Sequence, residues 1–85
     1  VTETRDVRIK RLKMRSMRRG IKEMDLILSA YAERNLSTMT ATDLDTYEAL
    51  LHENDQDLYQ WVTGQAPAPV NFATLISDIA QTFQK

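Results

Sequence analysis

The sequence predicts an all-α fold, a compact bundle of about five short helices. Three observations carry this. Apolar residues recur at helical spacing in successive segments. Glycine and proline number only two each, and no stretch shows the strict apolar/polar alternation of a half-buried strand. Eighty-five residues suffice for one small domain with a thin core.

The first helix is expected over 4–18, with Val7, Ile9, Leu12, Met14 and Met17 as its apolar positions. Their spacing is irregular, so its first turns should fray. Gly20 interrupts the pattern, and a second helix is expected from about 20 to 35, with Ile21, Met24, Leu28 and Tyr31 on one stripe and Ile27 widening it. Ser37-Thr38 read as a turn. Thr40-Ala-Thr-Asp43 has the form of a capping box, opening a third helix that runs to about Glu53 with Leu44, Tyr47, Leu50 and Leu51 inward. Asn54 is placed to cap a short fourth helix, with Asp55 and Asp57 at the positive end of its dipole. Leu58, Trp61 and Val62 form that helix's apolar face, and Gly64 is its terminator. Gln65-Ala-Pro-Ala-Pro69 must be extended, because each proline keeps the residue before it out of the helical region. The last helix, expected over 71–84, has the cleanest repeat: Phe72, Leu75, Ile76, Ile79, Ala80 and Phe83.

Charge is distributed unevenly. Residues 1–22 hold nine of the eleven basic side chains against Glu3 and Asp6, a net of +7, while the remainder carries a net of −8. A basic N-terminal helix of this kind can meet an anionic partner or the acidic remainder of its own fold. The absence of cysteine excludes disulfides, thiolate metal sites and thiol nucleophiles. No apolar run reaches the roughly 20 residues of a membrane span, so no membrane insertion is expected. Nor does a signal or transit pattern open the chain.

Little here suits catalysis. The one histidine, His52, falls near the end of the third helix, where it favours the negative end of the dipole as a surface residue. Asp55 and Asp57 read as first-turn acids, and no His/Asp/Glu cluster has metal-ligand spacing. Trp61, Tyr47 and Tyr59 read as packing residues, the first two largely buried and Tyr59 more exposed.

The segment that stands apart is Arg18-Arg19-Gly20-Ile21-Lys22-Glu23. Gly20 allows a helix junction to bend and a partner backbone to come close. Arg19 and Glu23 are four residues apart and would share one helical face if the helix ran through them, turned toward solvent because Ile21 and Met24 face inward. As a bare surface ion pair they contribute about 0–1 kcal/mol.

Arg19-Gly20-x-x-Glu23 resembles the RGxxE motif of the SdhE family, known in mitochondria as succinate dehydrogenase assembly factor 2. The resemblance extends from Arg11-Leu12 through Glu23-Met24-Asp25-Leu26-Ile27-Leu28, Leu36-Ser37-Thr38-Met39-Thr40 and Tyr47-Glu48-Ala49-Leu50-Leu51. It continues through Asp57-Leu58-Tyr59-Gln60-Trp61, the Asp-Leu-x-x-Trp signature, to Pro67-Ala68-Pro69. Motif, signature and Pro-Ala-Pro in this order and spacing are specific; RGxxE alone is not. Ile21 stands where many members have Met, and Lys22 adds a charge inside the motif.

The resemblance implies a single helical domain that chaperones the flavoprotein subunit of succinate dehydrogenase and promotes covalent attachment of FAD to a histidine of that subunit. The related fumarate reductase is a second candidate client. It implies no enzyme, with Arg19, Gly20 and Glu23 as the partner-binding residues. Charge and proximity add Arg15, Arg18 and Lys22. No nucleotide-binding fingerprint is present, so no tightly bound FAD is expected on this chain. The isolated domain is expected to be a monomer, in a bacterial cytoplasm or, if eukaryotic, the mitochondrial matrix. The rival reading is a small nucleic-acid-binding domain using the basic N-terminal helix, which however lacks a stacking aromatic. A membrane-surface helix is a further rival, weakened by the sparse apolar face of 4–18.

Overall fold

The computed structural model of the chain describes residues 3–83. Among these there are five α-helices and no strand: α1 Arg5–Arg15, α2 Lys22–Asn35, α3 Ala41–Leu51, α4 Asp55–Thr63 and α5 Ala73–Phe83. Short 3₁₀ turns at Leu36–Thr38 and Val70–Phe72 follow α2 and precede α5.

α1 is shorter than the expected 4–18. Thr4 caps it, its hydroxyl accepting the Val7 N–H at 3.2 Å. It stops because Ser16 turns inward. The Ser16 hydroxyl donates to the Leu12 carbonyl at 2.8 Å and lies 2.6 Å from the Tyr47 hydroxyl, which is therefore the donor between the two. Such back-bonding by serine competes with continuation of a helix. Two residues later Arg18 takes φ +58°, a left-handed conformation that ends any helical path. The second helix, expected from about 20, accordingly begins only at Lys22, with Ile21 as its N-cap and no side-chain capping bond.

The remaining caps follow the expected chemistry with one difference. Thr40 Oγ1 accepts the Asp43 N–H at 3.1 Å, but among the described residues Asp43 makes no bond back to Thr40, so half of the box forms. Asn54 Oδ1 accepts the Gln56 N–H at 2.8 Å. Gly64 sits at φ +83°, which lets the N–H groups of Gln65 and Ala66 both reach the Gln60 carbonyl. α5 starts at Ala73, later than the expected 71, because Val70–Phe72 coil more tightly as a 3₁₀ turn after Pro69. Residue 84, the expected end of this helix, lies outside the described residues.

The core is shared by all five helices: Leu12 from α1, Met24 and Leu28 from α2, Tyr47 and Leu50 from α3, Leu58 from α4 and Ile79 from α5 are buried. Tyr31 and Tyr47 stack with ring centroids 6.0 Å apart, and the Tyr31 hydroxyl donates to Asp78 Oδ2 at 2.6 Å, tying α2 to α5. Two expectations fail at the edge. Trp61 is half-buried, not buried, resting against Phe72 with centroids 6.2 Å apart. Phe83, which continues the apolar repeat of α5, is exposed because the helix has by then run past the bundle.

The charge asymmetry is resolved in part inside the fold. α1 lies with Arg8 and Arg11 on the acids of α3. Arg8 reaches Asp45 at 2.6 Å and Glu48 at 3.1 Å, and Arg11 reaches Glu48 at 3.0 Å and Glu3 at 2.8 Å. Arg5 donates to the Ser37 carbonyl at 3.1 Å. The Arg11 hydrogen bond, seconded by Arg8, holds the Glu48 carboxyl below its ordinary value of 4.5. Among the described residues no helix is long and apolar enough to cross a membrane.

Candidate functional site

Residues 16–21 form a loop between α1 and α2, not a continuation of either helix. This changes the geometry of the Arg-Gly-x-x-Glu segment. Arg19 and Glu23 do not make a helical i, i+4 pair, because only Glu23 is helical. Arg19 points inward, with its side chain 11% exposed, against the expectation that the pair faces solvent.

The Arg19 guanidinium is held by carbonyls and one carboxylate. Nε and Nη2 both lie 2.7 Å from Asp55 Oδ1. Nη1 donates to the Leu51 carbonyl at 3.1 Å and to the Arg15 carbonyl at 3.3 Å, and Nη2 to the Glu53 carbonyl at 3.4 Å. These carbonyls lie at the C-terminal ends of α1 and α3, where the helix dipole favours a cation. Asp55 is the first residue of α4, where the dipole favours an anion. One ion pair thus joins the ends of three helices.

The second Asp55 oxygen takes the next residue of the motif. Gly20 N–H donates to Asp55 Oδ2 at 2.6 Å. A Cβ added to Gly20 would sit 3.1 Å from that same oxygen, so the carboxylate would have to retreat by a few tenths of an ångström. Gly20 is not in the left-handed region; Arg18 is. Glycine is therefore favoured here by space and not by backbone angle. The Arg18 conformation is held by its own N–H, which donates to Asp25 Oδ2 at 3.0 Å.

The other expected site residues divide by exposure. Arg18, Lys22 and Glu23 are exposed, and Glu23 makes no side-chain hydrogen bond or ion pair among the described residues. Arg15 is half-buried, its Nη2 lying 3.3 Å from Nδ1 of His52. His52 is exposed at the C-cap of α3, the surface place its sequence position suggested. The structure therefore brings Arg19 and Gly20 together on Asp55 and leaves Arg18, Lys22 and Glu23 outward around them. Sequence reading missed the clasp on Asp55. Its only signal was an aspartate in a first helical turn, 35 residues after the glycine it binds, and such an acid has an adequate local explanation.

Among the described residues no group of three or more His, Cys, Asp or Glu side chains is arranged to hold a metal ion. Fold and loop together define a small all-helical domain whose distinguishing feature is a surface loop fixed between helix ends. The chain belongs to the family described as the flavinator of succinate dehydrogenase, which it matches over residues 10–83. It is 48% identical over 63 residues to a protein of Candida glabrata, a match covering 74% of this chain and 41% of that protein. A protein of Lodderomyces elongisporus is 49% identical over 61 residues, covering 72% and 37% respectively. One of Danio rerio is 35% identical over 85 residues, covering 98% and 54%. All three are named succinate dehydrogenase assembly factor 2, mitochondrial. The chain spans about half, or less, of the length of these relatives.

Proposed function

We propose that this chain is an assembly factor that binds the flavoprotein subunit of succinate dehydrogenase and promotes covalent attachment of FAD to it. The observation that carries this reading is the match to the flavinator family over residues 10–83, a stretch that contains the whole Arg19-Gly20-x-x-Glu23 segment. The chain contributes no reacting group: the histidine that takes the flavin belongs to the partner, and His52 has no part in it. The flavin itself is the partner's cargo.

The partner-binding face is the loop and the start of α2, with Arg18, Gly20, Lys22 and Glu23 exposed, Arg15 at the rim, and Arg19 beneath. Attachment requires negative charge to develop on the isoalloxazine ring, which fixed positive groups in the flavoprotein stabilise. The assembly factor holds the flavoprotein's domains so that histidine and flavin are aligned, and proximity then supplies acceleration. A preformed loop suits this role, because little ordering remains to be done on binding. Two of the α1 arginines that a nucleic acid would need, Arg8 and Arg11, are engaged by Asp45, Glu48 and Glu3, which favours the assembly reading over the rival. The relatives bear the word mitochondrial in their names; for this chain the mitochondrial matrix and a bacterial cytoplasm are both compatible with the role.

The experiment is in-gel flavin fluorescence of the flavoprotein from cells with and without this gene, complemented by wild type or Gly20→Arg. Covalent flavin should vanish without the gene and return only with wild type. Undiminished flavin in the deletion strain would refute the function. Full rescue by Gly20→Arg at wild-type binding strength would remove the Arg-Gly-x-x-Glu loop from it.

A further inference from the structure

We propose that Asp55 is a positioning residue for partner binding: through Arg19 and Gly20 it fixes the loop in the shape that turns Arg18, Lys22 and Glu23 toward the flavoprotein. This rests on the function proposed above and specifies how its site is built. The motif then has two parts with different work. The Arg-Gly half is the clasp, and the Glu half is the contact.

Several independent features converge on Asp55. Both of its oxygens are committed to the loop, Oδ1 to the Arg19 guanidinium at 2.7 Å and Oδ2 to the Gly20 N–H at 2.6 Å. Its side chain is 17% exposed and that of Arg19 is 11% exposed, so neither presents much surface to a partner. Asp55 stands on the first turn of α4, a rigid support, and not on a loop of its own. The shape it holds is not one the loop would choose unaided, since Arg18 carries the left-handed backbone conformation that non-glycine residues rarely adopt. Such conformations persist where surroundings over-determine them. Here the surroundings are Asp25 on the Arg18 N–H and Asp55 on the next two residues. Released from Asp55, the loop would sample other shapes, and binding would have to bear the ordering that the clasp now supplies in advance.

The test compares wild type with Asp55→Asn, Arg19→Gln, the double variant and Asp57→Asn, each titrated calorimetrically against purified flavoprotein subunit at a temperature where all are folded. Amide hydrogen exchange of Gly20 is followed by NMR in the free proteins. Asp57 sits on the same helical turn but makes no side-chain hydrogen bond or ion pair with the loop among the described residues, so its variant isolates the helix-end charge. The expected result is a loss of about tenfold or more in affinity for Asp55→Asn. Arg19→Gln should cost a similar factor, the double variant no more than the worse single one, and Asp57→Asn less than about twofold. The Gly20 amide should lose protection while the amides of α2 and α4 keep theirs.

Wild-type affinity in Asp55→Asn with the Gly20 amide released would overturn the proposal. So would losses for Asp55→Asn and Arg19→Gln that multiply in the double variant, since Arg19 would then touch the partner directly. An equal loss from Asp57→Asn would assign the effect to helix charge and overturn it as well. If Asp55→Asn does not fold, Asp55→Glu applies the same test by displacing the carboxylate one methylene without removing its charge. A wild-type chain that does not bind the flavoprotein overturns the function itself and this role with it, whereas the Gly20 exchange measurement then still reports whether the clasp exists.

Discussion

Replacing Arg19 by alanine should destabilise the fold far more than the loss of a surface ion pair would. In the sequence Arg19 and Glu23 suggest an exposed pair contributing about 0–1 kcal/mol. The structure instead places the Arg19 side chain at 11% exposure against an Asp55 side chain at 17%. Breaking a fully buried pair costs about 3–5 kcal/mol, because one charge is left unpaired away from water. This pair is nearly but not wholly withdrawn from solvent. Of the carbonyl contacts, the one to Leu51 at 3.1 Å is good, while those to Arg15 and Glu53 at 3.3 and 3.4 Å are long and add little. A loss of about 2–3 kcal/mol results, between the two limits. For a domain of this size that corresponds to a fall in Tm of roughly 10–20 °C. Arg19→Lys keeps the charge but lacks the planar fork that serves carboxylate and carbonyls at once, so it should recover only about half of the loss. Urea unfolding followed by circular dichroism measures this, with the midpoint shifting and the m-value unchanged. A loss below about 0.5 kcal/mol for Arg19→Ala would mean that water replaces the guanidinium without penalty, and the clasp would carry no stability.

Alkaline pH should weaken the fold through Tyr47. Burial pushes its hydroxyl up to about 12, and an unfolded tyrosine ionises near 10. The folded state holds its proton longer, so this contribution is complete below pH 10 and is lost as pH rises through 12. An ultraviolet absorbance titration should show Tyr47 ionising only with unfolding, and its ionisation near 10 in an intact fold would contradict this. Acid should act through Glu48 in the opposite sense: its depressed carboxyl stabilises the fold above its ordinary value of 4.5, and that contribution fades as pH falls through the lower folded value. Urea midpoints across this range should fall less steeply in Glu48→Gln than in wild type; parallel curves would deny Glu48 the role. Gly64→Ala should cost about 1 kcal/mol in urea unfolding from backbone strain at φ +83° alone, since nothing lies within 4 Å of the added Cβ. A loss well above that would mean the helix end is packed more tightly than its geometry shows.

What was legible in the sequence was local. The Thr40, Asn54 and Gly64 caps act within a few residues of themselves, and each forms the bond that its position suggested, with the return half of the Thr40 box missing. The buried stripes of α3 and of the first turns of α5 followed from spacing alone. What was not legible depended on residues distant in the chain. The end of α1 is set by Ser16 meeting Tyr47, 31 residues away, and no local signal stops a helix there. Phe83 fits the α5 repeat, yet periodicity cannot tell where a neighbouring element runs out. Of the candidate site, the segment was found but its orientation was not. Reading Arg19 and Glu23 as neighbours on one helix face presupposed a helix that the left-handed Arg18 interrupts.

That interruption gives the spacing of the motif a physical meaning. Because residues 19 and 20 are in a loop and residue 23 is in the first turn of α2, the two intervening positions carry the chain from one regime to the other. Ile21 is the N-cap, half-buried against the core, and Lys22 is the first helical residue. Glu23 is then aimed by the helix, while Met24 beside it is buried and fixes the helix's rotation. Glu23 also lies where an acid is favoured by the helix dipole, without a side-chain partner among the described residues, leaving its carboxylate available for a contact from outside. An inward arginine, a glycine under a carboxylate and an outward glutamate are therefore three consequences of one junction. A motif conceived as a charged pair on a single face would need continuous helix from Arg19 through Glu23, and this chain does not provide it.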